Sequence, residues 1–125
     1  MPIDATLPYD DCNIFARILR GEIPAKTVYE DEHALAFHDI APAAPVHILV
    51  IPKGAYVSWD DFSARASEAE IAGFVRAVGQ VARSHRLVEP GYRLLANVGG
   101  NGGQEVPHLH VHLFGGRPLG PMLSR

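Results

Sequence analysis

His108-Leu109-His110-Val111-His112-Leu113-Phe114 is the stretch that decides how this 125-residue chain is read. Three histidines alternate with apolar residues, and two apolar residues close the run. A β-strand repeats every second residue, so this spelling sets all three imidazoles on one face and Leu109, Val111 and Leu113 on the other. A helix would scatter the same rings through roughly 200°. Glycine clusters bound the segment, Gly99-Gly100-Asn101-Gly102-Gly103 before it and Gly115-Gly116 after it.

Outward from that strand, the rest of the chain reads as an α+β domain over residues 1–125. Asp11 is a candidate cap for a short helix with apolar positions Ile14, Phe15, Ile18 and Leu19, stopped by Gly21 and Pro24. Residues 27–30 and 34–38 read as two strands around the turn Asp31-Glu32-His33. After a loop stiffened by Pro42 and Pro45, His47-Ile48-Leu49-Val50-Ile51 is nearly all apolar and ends at Pro52. It reads as a central strand buried on both faces. One long helix is expected over about 67–86. Ser67 and Glu70 spell a capping box, and Ile71, Phe74, Val75, Val78, Val81 and Ala82 form an apolar stripe. Tyr92 to Val98 reads as a fourth strand and the histidine segment as a fifth, which makes an antiparallel sheet with one principal helix.

Composition narrows the function. With 47% hydrophobic and 20% charged residues and a formal charge of −3, the chain looks globular and lacks the basic excess of a nucleic-acid domain. A single cysteine, Cys12, allows no internal disulfide. With no leader-like N-terminus and no apolar run of spanning length, the expectation is a cytoplasmic protein without a membrane partner.

Three chemistries compete for the histidine row. The rings could simply decorate a wet sheet face. They could hold zinc, with His47 among the other candidate ligands. Against zinc, three same-face residues lie in a nearly straight row with Cα atoms about 6.6 Å apart, so all three converge poorly on one ion. The third chemistry is nucleophilic. A neutral imidazole attacks well near pH 7, and its adduct with phosphorus is a good leaving group in the next step. His110, flanked by two rings that can donate to phosphate oxygens, is the candidate nucleophile. The glycine-rich turn offers backbone amides to the same oxygens.

The run His-apolar-His-apolar-His-apolar-apolar resembles the histidine triad (HIT) family. Further segments resemble its Hint branch in bacterial form: Ile23-Pro24-Ala25-Lys26, Phe37-His38-Asp39-Ile40, Pro45-Val46-His47, Val50-Ile51-Pro52-Lys53, Gly102-Gly103-Gln104-Glu105-Val106 and Gly115-Gly116-Arg117-Pro118-Leu119-Gly120-Pro121-Met122. The likeness spans about residues 12–123 and leaves 1–10 as a short N-terminal extension. It implies a five-stranded antiparallel sheet with one long and one short helix, the sheet continuing across a homodimer. It also implies a purine nucleoside 5′-phosphoramidate substrate whose P–N bond is cleaved through a nucleotidyl-histidine, releasing a nucleoside monophosphate. By the same resemblance His110 attacks, His112 contacts phosphate, His108 orders the cluster and His47 supports it. Asp39 takes the ribose hydroxyls, Asn97 and Gln104 surround ribose and phosphate, and Val106 offers its amide. Ile14, Phe15, Ile18, Phe37 and Ile40 form the slot for the base. Read without the resemblance, Ile14, Phe15 and Ile18 fit plain core equally, and Asp39 fits a turn residue.

Departures from the family pattern frame the alternatives. Zinc-bearing relatives carry Cys-x-x-Cys where this chain has Cys12 and Phe15, so neither a metal nor another cofactor is expected. Glu105 stands where animal relatives have a serine that helps protonate the departing amine. Val106-Pro107-His108 is shared with dinucleoside polyphosphate hydrolases of the superfamily, which makes that activity the runner-up. A nucleotide-binding regulatory protein with vestigial turnover is the third reading.

Overall fold

The computed structural model describes residues 3–124. Five strands form one antiparallel sheet in the order β1-β2-β3-β5-β4: β1 Thr27–Glu30, β2 Ala34–His38, β3 Val46–Pro52, β4 Arg93–Leu95 and β5 Val111–Gly115. The expected α+β architecture is present. β3 is central and buried on both sides, which explains its lack of alternation. Ile48 and Val50 point to one face, where they pack with Ala34, Ala36, Leu109, Val111 and Leu113 against Phe74, Ala77, Val78 and Val81 of the long helix α3, Glu68–Ser84. Leu49 and Ile51 point to the other face and meet Leu35, Phe37 and Phe15, the last from the short helix α1, Ile14–Leu19.

The capping box at the head of α3 is formed as spelled. Ser67 Oγ accepts from Glu70 N and the Glu70 carboxylate accepts from Ser67 N, each at 3.1 Å. Gly21, at φ 77°, stops α1 in the left-handed conformation that glycine adopts freely.

Several local readings change. The cap of α1 is Asn13, whose Oδ1 accepts from Ala16 N at 2.9 Å, and not Asp11. Asp10 Oδ1 instead accepts from Cys12 N, which closes a tight turn just before the helix. A helix absent from the sequence reading, α2 (Trp59–Arg65), is capped by Ser58; it buries only Phe62, so it leaves no periodic stripe to read. The glycine cluster winds into a single helical turn, α4 (Gly99–Gly102).

β4 is shorter than the expected 92–98, because its partner β5 begins only at Val111. The histidine row is thus only partly strand. β3 ends at Pro52, which has no N–H to give, and the Leu109 N–H bonds to the Tyr56 carbonyl at 2.8 Å. The alternation survives this change: Leu109, Val111 and Leu113 enter the core beside α3, while His110 and His112 face the opposite side.

Candidate active site

On the α1 side of the sheet lies a cleft of about 520 Å³, within the ~300–1,000 Å³ of small-molecule sites. The structure brings to it His110 and His112 from the triad, His47 from β3, Asp39 from the loop after β2, and Asn97 and Val106 from either side of α4. The apolar wall is Ile14, Phe15 and Ile18 of α1 together with Phe37 and Ile40. Phe15 is buried in the core cluster and also presents an edge to the His110 ring, with centroids 4.9 Å apart. Ile40 is fully exposed at the rim, 99% accessible, an apolar side chain that nothing in the fold covers. Two of the named residues stand behind the cleft instead of lining it. Gln104 is buried, its Oε1 accepting from Gly99 N and its Nε2 donating to the carbonyls of Val57 and Val106. Its amide therefore fastens the α4 loop to the segment before α2. His108 has no exposed surface.

Fixed donors and acceptors assign a proton to every ring of the cluster. The His110 Nδ1 lies 2.8 Å from the His108 carbonyl, which only accepts, so Nδ1 carries the proton and Nε2 holds the lone pair. That Nε2 has no protein partner among the described residues. Among the described residues no buried side-chain nitrogen or oxygen lacks one, so His110 Nε2 is open to the cleft. The Ala43 N–H donates to His47 Nδ1 at 3.1 Å, which places the His47 proton on Nε2. His47 Nε2–H then donates to His112 Nδ1 at 2.9 Å. His112 consequently bears its own proton on Nε2, available to a substrate oxygen. Asp39 divides its carboxylate: Oδ1 accepts from Ala41 N at 2.8 Å in a turn, and Oδ2 stands 3.4 Å from His47 Nε2. The turn reading of Asp39 is met, and the same carboxylate also faces the histidine cluster.

Electrostatics agree with these neutral rings. Burial pushes His112 down to about 4, reinforced by His110 and His47, and pushes His108 to about 4 as well. Burial also lowers His110 and His47, while Glu105 and Asp39 near His110 and Asp39 near His47 act in the opposite sense. An uncharged imidazole with a free lone pair is the form that can attack.

Asp39, His47 and His112 also offer ligand atoms within 4.8 Å of one another. As held, they form a hydrogen-bond chain: the only lone pair of neutral His47 faces Ala43, and its Nε2 is occupied by a proton. A cation bound there would have to displace both bonds.

Sequence reading left several contributors unassigned, among them His38 and Ala41 of the cleft lining. Tyr9, inside the N-terminal extension, places its hydroxyl 2.6 Å from His108 Nδ1. Leu49 of β3 completes the cleft floor. A signal for Leu49 exists, since it occupies the same face as His47 two residues earlier; none exists for a contact spanning 99 positions.

Comparison with known proteins agrees with this geometry. A HIT domain model matches residues 20–119. A HIT-like protein of Azospirillum brasilense is 70% identical over 94% of this chain and 96% of its own length. The purine nucleoside phosphoramidase of Escherichia coli K12 is 46% identical over 89% of this chain and 92% of its length. Among solved structures, a histidine triad protein from Clostridium difficile superposes with a TM-score of 0.80 at 40% identity, covering 88% of this chain and 95% of the other.

Proposed function

This chain belongs to the HIT domain family, and from that premise we propose that it is a nucleotide hydrolase that cleaves the P–N bond of purine nucleoside 5′-phosphoramidates. The observation that carries the reading is the protonation pattern of the cluster: a neutral His110 with Nε2 open to the cleft, beside a His112 Nε2–H that can donate. Asp39 and Asn97 supply polar groups of the kind a ribose needs, and Phe15, Ile18 and Phe37 an apolar wall for a base.

In the first step His110 Nε2 forms a bond to phosphorus as the P–N bond breaks, and the amine leaves with a proton drawn from water, to which the second step's attacking water later returns one. His112 Nε2–H stabilises the phosphoryl oxygens, whose charge is the main demand of such a transition state. The His108 carbonyl holds Nδ1–H and steadies the positive charge that the His110 ring acquires. Glu105, at the cleft edge and close enough to act on His110, opposes burial in the same sense. Water then adds to phosphorus, His110 departs with its lone pair, and the nucleoside monophosphate is released.

The test sets an adenosine 5′-phosphoramidate against a dinucleoside polyphosphate at equal concentration. Faster turnover of the phosphoramidate is expected. Faster turnover of the polyphosphate would move the chain to the other substrate class, a shift that Val106-Pro107-His108 would accommodate.

The opposite face of the sheet bears on assembly. An apolar hollow of about 580 Å³ lies between α3 and the edge strand β4, lined by Trp59, Phe74, Val75, Val78, Tyr92 and Leu94 among others. Val75, Leu94 and Trp59 are exposed there. A patch of this kind beside an unpaired strand edge calls for a cover. We infer that a second copy supplies it, pairing α3 with α3 and β4 with β4 so that the sheet runs across a homodimer. Sedimentation of the protein at micromolar concentration is expected to give twice the chain mass; a monomer would refute the arrangement.

A further inference from the structure

The N-terminal extension lies outside the matched domain, yet it reaches the centre of the cluster. Its anchorage is local and strong. Asn13, itself 9% exposed, caps α1 through Oδ1 and donates from both its backbone N–H and Nδ2 to the Asp10 carbonyl. Asp10 Oδ1 accepts from Cys12 N. This knot fixes the residue just before it, Tyr9, which stands edge-on to the His108 ring with centroids 5.6 Å apart.

The protons identify what the contact does. His108 Nε2 lies 2.9 Å from the Pro52 carbonyl, so Nε2 carries the ring's proton and Nδ1 is a bare acceptor in a residue with no accessible surface. Tyr9 O–H is the donor that satisfies it, at 2.6 Å. Burial raises the Tyr9 hydroxyl above its ordinary range, which keeps it a donor at neutral pH. His108 is thereby pinned through both ring nitrogens, by β3 on one side and by the extension on the other. Its main-chain carbonyl in turn holds the Nδ1–H of His110.

We propose that Tyr9 is a positioning residue for the reaction: its hydroxyl locks the tautomer and orientation of His108, and through the His108 carbonyl it sets the ring of His110 for attack. The proposal rests on His110 being the nucleophile, as argued above. Tyr9 does not line the cleft, so its loss leaves the substrate contacts in place and alters the alignment of the attacking ring. A buried acceptor left without its donor lets the His108 ring tilt or exchange tautomers.

The experiment compares Tyr9→Phe with the parent chain by steady-state kinetics on an adenosine phosphoramidate and by imidazole ¹⁵N spectra. Expected is a fall in kcat on the order of tenfold with KM unchanged within about twofold. The His108 Nδ1 resonance should move toward that of an acceptor without a hydrogen bond. In a His108→Asn background, Tyr9→Phe should cost nothing further, because the ring it holds is gone. An equal kcat loss in both backgrounds, or an unmoved His108 Nδ1 signal in Tyr9→Phe, would overturn the proposal. If the parent chain fails to cleave the phosphoramidate, the proposed substrate class falls by itself, and the spectra still decide whether Tyr9 holds His108.

Discussion

Replacing His110 with alanine is expected to reduce phosphoramidate turnover at least about a thousandfold while nucleoside monophosphate still binds within a few-fold of the parent affinity. The asymmetry follows from the geometry. His110 Nε2 is the only triad lone pair turned to the cleft: His112 holds its lone pair against His47, and His108 holds its own against Tyr9. No neighbouring ring can take over the attack without giving up a hydrogen bond and changing tautomer. The residues offered to the ribose and base, Asp39, Asn97, Phe37 and Ile18, remain in place. Steady-state kinetics and an equilibrium titration with adenosine monophosphate measure the two halves. Mass spectrometry of acid-quenched parent enzyme should find the nucleotidyl group on the peptide bearing His110. Turnover unchanged by the substitution would remove the covalent mechanism.

The second large effect is on stability in mild acid. His108 titrates near 4 in the folded chain because burial disfavours its charged form, whereas an unfolded chain takes up that proton near 6.5. Between those values the unfolded state binds more protons, so stability present above about pH 6.5 drains away as the pH falls toward 4. His108 alone accounts for about 3 kcal/mol of this loss. His112, His110 and His47 are lowered in the same direction and deepen it. Urea unfolding at pH 7 and at pH 4.5 should show the midpoint falling sharply. A His108→Asn variant should lose less between the two conditions, and an identical acid loss in that variant would show that the buried ring is not the cause.

Much of this is legible in the amino-acid sequence itself. The capping box Ser67–Glu70 and the α3 stripe use contacts three and four residues apart, so their signal is local. The unbroken apolar run of β3 announces burial on both faces because no polar alternation interrupts it. The histidine row declares its sidedness by period two, although its first half lies outside the paired strand. What escaped depends on direction and distance. Nothing in the residue type says that Gln104 turns its amide inward to Val57, or that His108 serves through its carbonyl while its ring is sealed away. Tyr9 meets His108 only after the whole sheet has formed. Helix α2 buries one side chain, and a single buried position has no period to detect.

The sheet order carries a consequence for how the molecule comes into being. β5 is the last strand in the chain, yet it lies between β3 and β4, which precede it. During synthesis β1, β2 and β3 can pair as successive neighbours, while β4 waits without a partner and β3 keeps an open edge. The final strand must insert into that gap, a long-range step that closes loops of many residues and is intrinsically slow. The same strand carries His112 and follows directly on His110. A chain that stops short of β5 therefore has neither a closed sheet nor the His110–His112 pair.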